Sequence, residues 1–90
     1  SFVYGLSAAL YGEITYENGQ VQQDNFHTYP SMRIKDMPEV HSIVMPSGGF
    51  YGGVGEPTIS VAAPAVLNAI FAATGTRIRT LPLKDQKLRA

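Results

Sequence analysis

A 90-residue chain with no cysteine and as many basic as acidic side chains excludes several classes at once. It cannot carry disulfide staples, thiolate zinc sites or an iron–sulfur cluster held by its own cysteines, and no apolar run approaches the ~20 residues of a membrane-spanning helix. The charge is uneven: residues 1–76 sum to −4, with Arg33 and Lys35 against six acids, and residues 77–90 sum to +4, with five bases against Asp85. The basic end lacks interleaved aromatics and has no Lys/Arg stripe elsewhere to extend it. It reads as a solvated or partner-docking tail rather than a nucleic-acid contact.

Taken in order, SFVYGLSAALYGEI places Phe2, Val3, Leu6, Ala9 and Leu10 at helical spacing, with Gly5, Ala8 and Ala9 small enough for close packing. Gly12 is expected to stop this helix in the left-handed conformation. In EITYENGQVQQDNF, Asn18-Gly19 between two β-favouring runs predicts a two-residue type I′ hairpin. HTYPSMRIKDMP is irregular, EVHSIVM predicts a third strand, and PSGGFYGGVGEP is a long glycine loop of the kind that usually carries function. VAAPAVLNAIFAATG repeats apolar residues at Val66, Leu67, Ile70 and Phe71. Its regular helix is expected to start near Ala63 or Pro64, because proline is best tolerated in a first turn, and to end at Gly75. TRIRTLPL reads as extended, and the last seven residues as frayed. The expected fold is α+β: a small antiparallel sheet, hairpin plus third strand, covered by two helices. Residues 1–83 form the folded piece and 84–90 the basic tail. Starting at Ser1 without an initiator Met, the chain is expected to be a fragment or a processed subunit.

The loop reads FYGGVGEP over residues 50–57, and Glu56 is its one charged residue. Gly52, Gly53 and Gly55 permit positive φ and close approach of another molecule, while Pro57 restricts Glu56 to extended conformations. A solvated surface glutamate needs no such frame. Either the loop bends tightly to enter a helix, or it positions a proton acceptor beside something large.

With these residues in order, GLSAALYGEI, NGQVQQDNFHTYP, MPEV, GGVGEP and APAVLNAIFAATGTRIRTLPL, the chain resembles the C-terminal end of the molybdenum-binding large subunit of the xanthine oxidase and aldehyde oxidase family. More narrowly it is similar to the bacterial isoquinoline 1-oxidoreductase and nicotinate dehydrogenase branch, over about residues 2–83. The resemblance implies a piece of a molybdopterin-binding domain whose complete enzyme holds a molybdenum–molybdopterin cofactor, in bacteria the cytosine dinucleotide form. It also implies hydroxylation of an aldehyde or N-heterocycle, and electron transfer to iron–sulfur clusters on a small partner subunit. The family's general base maps onto Glu56. Gly53, Val54 and Gly55 map beside the cofactor, and no residue of this chain is expected to ligate the metal. Where relatives read GEPG and TPP before APA, this chain reads GEPTISVAAPA, so Thr58, Ser60 and Val61 depart from the pattern. The Thr58 and Ser60 hydroxyls could cap the helix or bond a phosphate.

Beside this reading stands a non-catalytic α+β module that associates with a partner chain, and beyond it a nucleic-acid binder acting through the tail. His27 and His41 lack further ligands at metal spacing and read as structural or surface histidines. Nothing in the sequence brings Asp24, Asp36 or Glu39 to Glu56. Phe50 and Tyr51 are divided between loop packing and contact with substrate or cofactor. The QQDNFHTYP segment reads as a hairpin with a polar edge, and Asn68 as a hydrogen-bonded core amide. The fragment alone is expected to be inactive and to self-associate through its apolar helix faces.

Overall fold

The computed structural model describes residues 1–86 and contains two helices and a two-stranded antiparallel sheet. Helix α1 spans Phe2–Leu10 and buries Gly5, Leu6 and Ala9, which recur at helical spacing on one face. Strands β1 (Tyr16–Glu17) and β2 (Gln20–Val21) pair Tyr16 with Val21 and Glu17 with Gln20. Helix α2 spans Ile59–Thr74. The architecture is α+β, as the patterning predicts.

The hairpin forms as its turn residues require. Asn18 (φ 51°) and Gly19 (φ 77°) are both left-handed, the requirement of a type I′ turn. Side chains extend its short ladder: Thr15 N–H donates to Gln23 Oε1 at 2.7 Å, and Gln22 Nε2 donates to Glu17 Oε2 at 2.7 Å.

The core sits where α1 crosses α2. Its buried apolar residues among those described are Leu6, Ala9, Ala62 and Leu83. A Cβ built on Gly5 would lie 2.6 Å from Ala62 Cβ and 2.9 Å from Ile59 O, so the backbones approach as closely as atoms permit. Leu83 folds back onto this crossing, its N–H donating to Ala9 O at 3.0 Å. Burying a leucine side chain contributes about 1.5–3 kcal/mol, and this core has only two leucines among its buried residues. On α2 the face comprising Ala62, Ala63, Val66, Leu67, Ile70 and Thr74 is buried or half-buried, which is the predicted stripe, incompletely covered.

Several expectations need correction. Gly12 is not left-handed; its backbone lies against Ala8 and the Tyr29 hydroxyl, 3.2 and 3.0 Å from a built Cβ. Helix α2 begins at Ile59, ahead of the predicted Ala63 or Pro64, and carries Pro64 inside it. Pro64 forgoes only the bond to the carbonyl of Ser60, an exposed residue near the helix start whose carbonyl water can serve. Residues 39–45 pair with no strand among the described residues. Residues 76–83, read as extended, form neither helix nor strand, and Leu83 is buried. Asn68 is exposed, and its Oδ1 accepts from Arg77 Nη1 at 2.8 Å, while the Arg77 guanidinium stacks 3.6 Å from the Phe71 ring centroid. Of the tail expected at 84–90, residues 87–90 lie outside the described residues. Lys84 pairs with Glu13 at 3.5 Å, and Gln86 N–H donates to Leu83 O at 3.1 Å, so the first tail residues are held against the body. Gly75 ends α2 in the left-handed conformation (φ 76°), as predicted.

Gly5→Ala tests the crossing. Greater helix propensity offers up to about 1 kcal/mol, whereas overpacking costs about 1–3 kcal/mol, so the substitution is expected to lower the thermal midpoint of the subunit containing it. An unchanged or raised midpoint would show that the helices can part at no cost.

Candidate functional site

The glycine loop connects residue 46 to the start of α2 without regular structure. Its end is fixed by short-range bonds. Ile59 N–H donates to Glu56 O at 2.9 Å, and Ser60 Oγ donates to Pro57 O at 2.9 Å. Thr58 occupies the N-cap with helical dihedrals and makes no side-chain cap bond. Of the two departing hydroxyls, Ser60 closes the turn and Thr58 does not cap. Glu56 therefore sits one tight turn before α2, tied by its carbonyl to a helix that is itself held at Gly5.

The carboxylate of Glu56 is exposed. Among the described residues it has no hydrogen-bond or ion-pair partner, and the same holds for the backbone N–H groups of Gly53, Val54 and Gly55. A Cβ built at Gly52, Gly53 or Gly55 meets nothing within 4 Å. None of these three glycines has positive φ; the left-handed glycine of the loop is Gly48, at φ 72°. The apolar side chains around them, Phe50, Tyr51 and Val54, are between 85% and 101% exposed. The loop thus presents one carboxylate, three unengaged N–H donors and three bare apolar side chains to whatever lies beyond the chain.

The structure brings to this region some residues that sequence spacing could not. A cavity of about 590 Å³ is lined by Ser1, by Phe2 and Val3 of α1, by Met37 and Glu39 to Ser42, and by Val54 and Thr58. In it His41 Nε2 lies 3.0 Å from Glu39 Oε1, both side chains largely exposed. Glu39 and His41 therefore flank the loop carrying Glu56, a juxtaposition made by tertiary packing alone. Glu56 itself does not line this cavity. A second cavity, about 390 Å³, lies between α1 and Tyr29 to Met32, where Met32 N–H donates to Ser7 Oγ at 2.9 Å. It involves the end of the QQDNFHTYP segment and none of the loop. Asp24 and His27 are exposed and line neither cavity. No group of three or more His, Asp or Glu side chains among the described residues is placed to hold a metal ion.

No family model matches the chain. It is 39% identical over 82 residues to the membrane-bound aldehyde dehydrogenase (pyrroloquinoline-quinone) of Gluconacetobacter polyoxogenes, covering 91% of this chain and 11% of that protein. It is 33% identical over 82 residues to the isoquinoline 1-oxidoreductase subunit beta of Brevundimonas diminuta, covering 91% of this chain and 10% of that one. With the putative xanthine dehydrogenase molybdenum-binding subunit of Escherichia coli K12 it shares 33% identity over 91 residues, covering 93% of this chain and 12% of that subunit. The chain spans about a tenth of the length of the curated relatives it matches. Over about nine-tenths of its length it is similar to a short segment of these bacterial oxidoreductases, of which the Escherichia coli relative is named a molybdenum-binding subunit.

Open space around the loop backbone has a direct consequence. Gly53→Ala and Gly55→Ala are expected to leave the helical circular-dichroism signal and thermal midpoint unchanged. A drop in either would mean that the chain's own packing, not an outside group, dictates those glycines.

Proposed function

We propose that this chain is the C-terminal, catalytic-base segment of a molybdenum hydroxylase acting on an aldehyde or N-heterocycle. Glu56 is its general base, and Gly53, Val54 and Gly55 lie against the cofactor. The observation that carries this reading is the unpartnered carboxylate of Glu56, framed by three free N–H groups and anchored through its carbonyl to α2. The relatedness to oxidoreductase subunits over nine-tenths of the chain supplies its context.

The loop suits such a group. Backbone N–H donors with no internal partner can serve the oxo or phosphate oxygens of a pterin cofactor, and bare glycines admit a bulky group at van der Waals distance. When bound, molybdenum–molybdopterin, in its cytosine dinucleotide form, supplies the two-electron oxidation that accompanies hydroxylation. What this chain adds is a proton acceptor: the Glu56 carboxylate accepts the proton lost from the attacking water oxygen. The positive end of α2 stabilises an ionised carboxylate one turn ahead of it by about 0.3–1 kcal/mol. The side chains of Phe50, Tyr51 and Val54 exclude water once the rest of the subunit closes over them. Electrons leave through iron–sulfur clusters on a small partner subunit.

A positioned general base contributes roughly 10²–10⁴-fold to rate. In the intact enzyme Glu56→Gln is therefore expected to lower turnover by about that factor, with molybdenum content by elemental analysis unchanged. Retained turnover would remove Glu56 from the mechanism. An intact wild-type enzyme that is active with a quinone cofactor and holds no molybdenum would overturn the whole reading, as would an assembly that associates through this chain without any redox activity.

A further inference from the structure

The segment from Pro38 to Gly48 opens a stretch without backbone hydrogen bonds among the described residues that runs on through the glycine loop. None of its backbone N–H or C=O groups forms a backbone hydrogen bond among the described residues. Its side chains alternate in the manner of a strand: Glu39, His41, Ile43 and Met45 on one parity, Val40, Ser42 and Val44 on the other. Ile43, Val44 and Met45 are 86%, 92% and 83% exposed. Three consecutive apolar residues would, in a strand, put apolar side chains on both faces, the pattern of a strand covered on both sides.

We propose that residues 39–45 are a β-strand completed by a sheet edge in the remainder of the large subunit. This rests on the reading above that the chain is a segment of such a subunit. Among the described residues, the strands on offer are β1 and β2, two residues each, too short to accept a seven-residue partner. A second copy of the chain fits poorly. Two such segments would make an isolated two-stranded ribbon, marginal in water, and neither apolar face would gain cover. The matched relatives are about eight to nine times as long as the chain, so the missing edge and its cover have ample sequence to come from. Val40, half-exposed and lining the cavity beside Phe2, Val3 and Met37, fixes where the strand leaves the packed body. Pairing beyond that point satisfies the free amides and carbonyls together.

Hydrogen–deuterium exchange on the complete large subunit decides it. The amides of Ile43 and Val44 are expected to exchange orders of magnitude more slowly than amides in open chain. Val44→Pro, which removes a ladder donor, is expected to abolish that protection or the soluble subunit itself, while Val44→Thr retains both. Exchange of the wild-type amides at the open-chain rate would overturn the proposal, as would protection that disappears on dilution to single subunits. The functional reading is tested separately by the Glu56→Gln enzyme. Protection at Ile43 and Val44 with turnover retained sinks the catalytic assignment and leaves the strand standing.

Discussion

Among the described glycines, the one with least room for a side chain lies where the two helices cross. Gly5 of α1 and Ala62 of α2 meet so tightly that one added methyl group on Gly5 would overlap its neighbour. Ala62 is fully buried there, three residues after the first residue of α2. That geometry sets the position of the start of α2, and through the Ile59 to Glu56 bond it ties down the backbone of Glu56. Leu83 reinforces the same crossing from the other end of the chain through Ala9. Few other apolar contacts hold the described residues together, so the crossing and the candidate site stand or fall as one unit.

What could be read in advance was whatever neighbours in sequence decide. Asn18-Gly19 fixes its turn because two left-handed residues in succession admit one hairpin geometry. Gly75 ends α2 because a left-handed residue without a Cβ suits a helix C-terminus. Both ends of that logic fail where distant groups decide. Pro64 pointed to a late helix start, yet tight packing at Ala62 and Ile59 favours helix there strongly enough to tolerate one lost ladder bond. Asn68 looked like a core amide because its neighbours are apolar, but it lies on the uncovered side of α2, where Arg77 supplies its partner. At the site, Glu56 was legible as a carboxylate framed with unusual care. The approach of Glu39 and His41 to Val54 and Thr58 was not, since no local spacing encodes it.

The unburied surface is as informative as the core. A compact 90-residue domain has a radius of gyration of about 12 Å, whereas this chain's is 16.1 Å and its longest extent is 53 Å. The excess comes with exposed apolar residues, among them Phe26 and Ile34 and a run from Ile43 through Met45 to Phe50, Tyr51 and Val54. Surface patches of that kind mark interfaces. The run from Ile43 to Val54 lies immediately before Glu56 in the chain, so the surface that needs covering adjoins the candidate site. A carboxylate in such a place takes its final environment from the groups that cover it.

This arrangement bears on why the loop can be rich in glycine without being imprecise. A base must be held within a fraction of an ångström of its target to contribute fully, and glycine loses more conformational freedom on ordering than any other residue. A glycine loop hung from one end would be a poor mount for Glu56. The chain supplies a rigid anchor on the far side, where α2 is locked at Gly5, and an unpaired strand-forming segment on the near side. Pairing that segment would tie down the second end, leaving the glycines to span two fixed points rather than to wander from one. The freedom that lets a large group approach Gly53 and Gly55 is then confined to the few residues that need it, and the entropic cost of ordering the loop is met by the same sheet hydrogen bonds that dock the chain.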